Sequence, residues 1–322
     1  MENIRLLIVG AGRWGMNHVK TAASILPHEN ITVCDFDPAS ESKIKSVSEK
    51  ITFVNNIEDA KNITCAIVAT PAETHFKIAK ELLNNGIHCL VEKPITLNLE
   101  DAEELNKIAE EKKLKLMVGH VLLFHPAVKK MKGDIEKGRI GKLQYIYSNR
   151  LNLGAIRSEE NILWSFAPHD VSVIQYLVGE NPIEITAKGA DFVQNGIEDT
   201  TITYLKYPNG VNAHIFVSWL HPFKEQRMVV IGEKGMFVFE DSLKSEKLKF
   251  YKKGFKNVEG KIEKFEQDYE VVEFEEKQPL KEEQLHFYNS INSNIEPLTD
   301  GKHAYEVLKI LVNATNKLKI NL

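Results

Sequence analysis

Cysteine is scarce in this chain: three residues in 322, at Cys34, Cys65 and Cys89. The number is odd and each lies within or closes an apolar run. They therefore read as buried small hydrophobes, against a disulfide framework or a metal cluster. Net charge is scarce as well. Lys and Arg number 41 against 45 Asp and Glu, a balance of −4 that gives no electrostatic reason to bind nucleic acid or an anionic membrane. No apolar run approaches the roughly 20 residues of a membrane-spanning helix. Met1-Glu-Asn-Ile-Arg5 runs directly into an apolar segment, so no targeting leader and a cytoplasmic location are expected. Internal repeats and low-complexity tracts are also missing. What is present is 43% hydrophobic residues beside 27% charged, enough for two cores.

The run Arg5–Val9 is short and apolar, and is followed by Gly10-Ala11-Gly12-Arg13-Trp14-Gly15 and a helix-compatible segment. A glycine pattern of this kind between a strand and a helix has a mechanism. Gly10 permits the tight turn, Gly12 lets a pyrophosphate reach the backbone, and Gly15 lets helix and strand pack closely. The helix start then offers unpaired N–H groups to an anion. The six residues are candidate contacts of a dinucleotide. A second strand, Ile31–Asp35, ends in an acid at the spacing expected of a ribose-binding carboxylate. Asp35, seconded by Asp37, would repel a 2′-phosphate, which favours NAD over NADP. A turn-forming Asp before Pro38 is the plainer alternative.

Strand and helix continue to alternate through Thr52–Val54, Thr64–Ala69, a helix carrying Phe76, Ala79 and Leu83 that stops at Gly86, the run Ile87–Val91, a helix from Leu99 to Lys113, and Leu114–Val118. Strands separated by helices of this length imply parallel β-α-β units. Glu92-Lys93-Pro94 then falls at the carboxyl end of the fifth strand, on the rim that carries the glycine loop. Ligands bind along that rim in open α/β sheets. Lys93, held before a proline, is a candidate acid–base group; a surface lysine at a strand end is the ordinary reading.

Three motifs in order, Gly10-Ala-Gly12-x-x-Gly15, Ala69-Thr70-Pro71-x-x-x-His75 and Glu92-Lys93-Pro94, resemble the glucose–fructose oxidoreductase, inositol dehydrogenase and rhizopine-catabolism (Gfo/Idh/MocA) family. The resemblance implies an α/β plus α+β protein. Residues 1–122 would form a Rossmann doubly wound parallel sheet. Residues 123–322 would form a substrate-binding and oligomerisation domain on a large, mostly antiparallel open-faced sheet, the final helix returning toward the first domain. It also implies an NAD(P)-dependent sugar or polyol dehydrogenase, the acid at Asp35 favouring NAD, with Lys93 touching nicotinamide and substrate, and with Thr70, Pro71, His75 and Glu92 as further cofactor contacts.

Past Phe124 the pattern changes. A helix is expected over 126–137, then a strand at Leu143–Leu151 whose odd residues Tyr145, Tyr147 and Asn149 share one face. Further strands are expected near 183–191, 200–207, 211–219, 226–231, 236–240, 248–251 and 269–274, and two helices over 282–294 and 302–319. Pro168 suits a first helical turn, which would put His169 and Asp170 at a helix start, where the dipole disfavours an imidazolium and leaves a neutral base. The segment Ser148-Asn149-Arg150-Leu151-Asn152-Leu153-Gly154 with Leu163-Trp164-Ser165-Phe166-Ala167-Pro168-His169-Asp170 resembles the nucleotide-sugar 3-dehydrogenase branch, which acts on UDP-N-acetylglucosamine or its uronate. That implies His169 as base and Asn149, Asn152, Arg157, Trp164 and Asp170 around the substrate. It also implies a pyridoxal-phosphate aminotransferase as pathway partner and a homodimer or homotetramer. One departure stands: many members carry an Asp four residues before that histidine, where this chain has Ser165. A free-polyol dehydrogenase and a non-catalytic cofactor-sensing regulator are the competing readings, while His120 and His125 lack the companions of a zinc site.

Overall fold

The computed structural model describes residues 3–154, 157–158 and 160–319. Met1 and Glu2, on which the expectation of no leader partly rests, lie outside the described residues. By its internal contacts the chain divides into two units, one of residues 1–124 with 277–308 and one of residues 125–276 with 309–322.

The first unit holds β1 (Leu6–Val9), α1 (Arg13–Ala23), β2 (Ile31–Cys34), α2 (Ser40–Lys45), β3 (Thr52–Val54), β4 (Cys65–Val68), α3 (Ala72–Asn84), β5 (His88–Val91), α4 (Leu99–Glu111) and β6 (Leu116–Val118). The strands form one sheet in the order β3-β2-β1-β4-β5-β6, every pair parallel. Its central strands are apolar on both faces because helices cover both: β1, β4 and most of β5 are fully buried. Chain order reverses between β1 and β4. That reversal opens a crevice beyond the carboxyl ends of those strands, the usual seat of a dinucleotide. The three cysteines are buried thiols, as expected. Cys34 is pushed up to about 11 and Cys65 to about 12, in both cases first by burial.

The second unit opens with α5 (Pro126–Glu136) and β7 (Leu143–Leu151), followed by α6 (Ile162–Val178) and β8 (Glu184–Ala190), β9 (Thr200–Lys206), β10 (Asn212–Ser218), β11 (Glu225–Gly232), β12 (Met236–Glu240), β13 (Leu248–Val258) and β14 (Lys261–Val271). The eight strands run β14-β13-β12-β11-β7-β10-β9-β8, antiparallel except for β7 against β10. α7 (Pro279–Asn292) belongs to the first unit, and α8 (Gly301–Lys319) spans the division. The stripe Ala304, Leu308, Leu311 and Leu318 of α8 is buried, as its helical spacing requires.

Two expectations fail here for identifiable reasons. The final hairpin is far longer than a short run at 248–251 and another at 269–274. β13 and β14 pair from Lys249 with Val271 to Val258 with Lys261, closed by Glu259 and Gly260 at φ 49° and 85°. Both positive angles mark a type I′ turn. Dense lysine and glutamate in its arms hide the alternation, because most of β14 is exposed on both faces. The second failure concerns α6. It begins at Ile162, capped by the Asn161 side chain accepting from the Trp164 N–H, and Pro168 lies inside it. A proline there removes one ladder bond without ending a helix whose apolar residues are buried on most sides.

Candidate active site

The glycine loop is built as its spacing demands. A side chain at Gly15 would place Cβ 2.0 Å from the Gly10 carbonyl oxygen, so α1 and β1 are in backbone contact. Gly10 has φ +97°, a conformation that an L side chain rarely adopts. At Gly12, by contrast, a Cβ would meet nothing within 4 Å: it would stand in open space beside the cavity. Gly12 caps α1 without any side-chain hydrogen bond, so the first N–H groups of the helix face outward unclaimed by a capping residue. These are the features a pyrophosphate needs, and the residues fit NAD.

A cavity of about 800 Å³ lies over this loop, lined by Gly10 to Trp14, Asp35, Phe36, Thr70 and Pro71 among others. Asp35 does more than line it. One carboxylate oxygen accepts the Ala11 N–H at 2.6 Å and the other the Asp37 N–H at 2.9 Å, so the acid ties the end of β2 to the loop. A carboxylate offers about four acceptor sites, which leaves two for ribose hydroxyls. Phe36, 89% exposed at the cavity wall, is an aromatic face beside that acid. Its place directly after Asp35 could have nominated it as a stacking surface.

His75 and Glu92 are placed differently from the cofactor contacts expected of them. His75 is buried, with Nδ1 2.8 Å from the Pro94 carbonyl oxygen and Nε2 2.9 Å from the Thr70 carbonyl oxygen. It braces the chain after Lys93 against the end of β4. Glu92 is buried too, its carboxylate accepting from His18 at 2.8 Å, from the Trp14 indole, and from the Lys93 N–H at 3.2 Å. Burial pushes its pKa up, but the bonds from His18 and Trp14 and the Lys93 charge outweigh that and hold it below the usual carboxylate range. Lys93 itself is half-buried at the carboxyl end of β5, joined to Pro94 by a cis peptide. The same rim carries a residue that spacing arguments missed. His120, two residues beyond β6, is buried and kept neutral by burial first, then by the nearby His303 and Lys93.

In the second unit, Asp170 is 3% exposed and accepts from Ser148 Oγ at 2.5 Å and from Arg150 Nε at 2.6 Å. These bonds commit it to β7. His169 is half-buried in the third turn of α6, so the field of a helix start, which fades within the first turn, does not set its protonation. Ser165 is buried one turn before it on the same helix. Because successive side chains of a strand point to opposite faces, Ser148 and Arg150 face α6 and Asn149 faces away, donating to Glu225 at 2.9 Å. Asn149 is thus turned from the helix that carries His169. The Trp164 indole N–H donates to Thr315 Oγ1 at 2.9 Å, an anchor for α8. Arg157 is 58% exposed and lies 3.3 Å from Glu160, while the Asn152 N–H donates to the Ser218 carbonyl at the end of β10. Arg150, which was not a candidate, is a half-buried cation paired with the buried Asp170 carboxylate.

Residues 4–120 match the model of the oxidoreductase family with the NAD-binding Rossmann fold, and residues 128–238 match the model of the C-terminal domain of the same family. The chain belongs to the Gfo/Idh/MocA oxidoreductases. Family membership makes it an NAD-dependent dehydrogenase of sugar or polyol hydroxyls. Among its relatives are an inositol 2-dehydrogenase of Rhizobium meliloti, 27% identical over 74% of this chain and 76% of that one. A UDP-N-acetylglucosamine 3-dehydrogenase of Acidithiobacillus ferrooxidans is also 27% identical, over 68% of each. The crystal structure of the latter superposes with a TM-score of 0.85 at 22% identity, covering 98% of both chains. Among the described residues no helix is long and apolar enough to cross a membrane.

Proposed function

We propose that this enzyme oxidises the C3 hydroxyl of a UDP-N-acetylhexosamine, UDP-N-acetylglucosamine or its uronate, to the 3-keto sugar. The observation that carries the dehydrogenase chemistry is the placement of Lys93 at the end of β5, on the sheet edge that also bears the open backbone of Gly12. NAD, when bound, supplies the hydride acceptor. The chain supplies the rest. The loop N–H groups hold the pyrophosphate and Asp35 holds the ribose, while Thr70 and Pro71 wall the same cavity. In this proposal the imidazole of His169 takes the hydroxyl proton and the Lys93 ammonium stabilises the developing alkoxide, a charge-matching role that grows as the bond breaks. Asn152 and Arg157 are proposed to meet the nucleotide portion. Arg is suited to a diphosphate by its planar fork.

The choice of substrate is supported by the resemblance of residues 148–170 to the nucleotide-sugar branch and by the full-length structural likeness to such an enzyme. A free-polyol reading has equal support from sequence identity, since an inositol dehydrogenase is as similar. The two separate in one assay: NADH formation with UDP-N-acetylglucosamine, its uronate and myo-inositol offered in parallel, with a keto-consuming partner present. Turnover with a nucleotide sugar alone upholds the proposal; turnover with inositol alone replaces it. A 3-keto product would feed a transaminating enzyme. On the helix-free face of the second sheet, Ile202 and Tyr204 are exposed opposite buried Thr201, Thr203 and Leu205, and we assign that face to a homodimer or homotetramer. A monomer by light scattering across a wide concentration range would refute the assignment.

A further inference from the structure

Glu283 of α7 is fully buried, and neither of its carboxylate oxygens has a hydrogen-bond donor. One of those oxygens lies within 4.8 Å of both the Glu92 carboxylate and the His18 ring nitrogen. Two carboxylates and a histidine at that spacing suggest a cation site, but the hydrogen bonds of His18 decide against it. Gln284 Nε2 donates to the His18 backbone carbonyl at 3.2 Å, which fixes that amide nitrogen as the one facing the ring. It therefore also donates to His18 Nδ1 at 3.0 Å. Nδ1 accepts, so the ring proton is on Nε2, the atom that faces Glu92 and that a metal would need bare. His18 gives Glu92 a proton contact and offers no lone pair to an ion. Glu92 already receives the Trp14 and Lys93 N–H groups and is ionised. A Cβ at Gly119 would come 3.0 Å from its carboxylate, so the backbone of Gly119 closes the remaining side.

We propose that Glu283 is a neutral carboxylic acid whose O–H points to the Glu92 carboxylate, completing a buried relay from Gln284 through His18 to Glu92 that positions the backbone leading into Lys93. Two ionised carboxylates this close in a dry interior would repel without a counter-ion, and a single shared proton turns the repulsion into a charge-assisted bond. Glu92 from the end of β5 and His18 from α1 face it; Glu92 is in turn held by Trp14 of α1 and the Lys93 N–H, and His18 by Gln284, which Tyr288 of the same helix anchors. Burial first and the charge of Glu92 second both raise Glu283 far above the usual range, in agreement. Glu283 is a positioning residue. Its consequence for turnover rests on the assignment of Lys93 made above, while its protonation does not.

The experiment is infrared spectroscopy of the full-length protein at neutral pH, wild type against Glu283→Gln. The expected result is a carboxylic-acid C=O band in the wild type that shifts in D₂O and is absent from the variant. The linked stability test has a sign. A raised folded value stabilises fully below the ordinary 4.5 and loses that contribution as pH rises toward the folded value. The stability of wild type relative to Glu283→Gln should therefore fall as pH climbs from 4.5. Absence of the band, a flat difference, or one divalent metal per chain in the purified protein each overturns the proposal. Kinetically, Glu283→Leu should lower kcat on the order of 10²-fold through displacement of the Lys93 segment, with Glu283→Gln rescuing it. If the band is present but neither variant alters kcat, the relay holds and the role of Lys93 is what fails.

Discussion

The two glycines Gly12 and Gly15 should separate folding from cofactor binding when each is replaced by Ala. At Gly15 the new Cβ would sit 2.0 Å from the Gly10 oxygen and 2.8 Å from its carbonyl carbon, both backbone atoms. Neither can rotate aside, so α1 must move off β1. Overpacking of this kind costs about 1–3 kcal/mol. At roughly 2–4 °C per kcal/mol for a domain of this size, Tm should fall by about 2–12 °C. At Gly12 the Cβ meets nothing, and φ −64° is an ordinary angle for Ala. Ala is a poorer cap than Gly by roughly 0.5–1 kcal/mol, but it removes about 0.4–1 kcal/mol of unfolded-chain freedom, so the two nearly cancel. Gly12→Ala should keep its Tm yet place a methyl where a pyrophosphate must approach the backbone. A tenfold weaker NAD Kd corresponds to about 1.4 kcal/mol, and a loss of at least that size is expected by calorimetry. The reasoning fails if Gly12→Ala melts early with normal NAD affinity, or if Gly15→Ala leaves both Tm and affinity intact.

Asp35→Asn should narrow the preference for NAD over NADP, measured as the ratio of the two Kd values, because it removes the charge that repels a 2′-phosphate. It should also lower Tm slightly through the weakened bond to the Ala11 N–H. Arg150→Met strands the buried Asp170 carboxylate with Ser148 as its remaining partner of the two, and loss of one partner of a buried pair costs roughly 3–5 kcal/mol in denaturant unfolding. Unchanged stability in that variant would show that the pair is solvated. His75→Ala should lower kcat more than it weakens NAD, since His75 braces Pro94 and lies beneath the rim; an effect on NAD Kd alone would contradict that role.

The cofactor half of the site was legible because its elements are local. Gly10 to Gly15, Asp35 and Lys93 each lie at a strand end, and alternation of strand and helix places strand ends on one rim whatever else the chain does. Where sequence and structure part, the deciding partner is distant or the local signal is shared by two structures. Pro168 is as natural in a first helical turn as it is tolerable in a buried helix, and only the Asn161 cap tells them apart. The strict alternation of β7 shows that Asn149 and Arg150 face opposite ways without showing which way α6 lies. Glu283 and His18 are separated by most of the chain, and no spacing rule joins them to Glu92. The long hairpin β13–β14 was obscured by charge on both of its faces, a pattern that resembles a loop until its pairing is seen.

The decisive variant for the proposed role of Lys93 in hydride transfer at the cofactor rim is Lys93→Met, which keeps the length of the stem and removes the charge. NAD affinity should stay within about threefold of wild type. NADH formation should fall roughly 10²–10⁴-fold with the best substrate of the panel. Retention of most of the turnover by that variant would contradict the role.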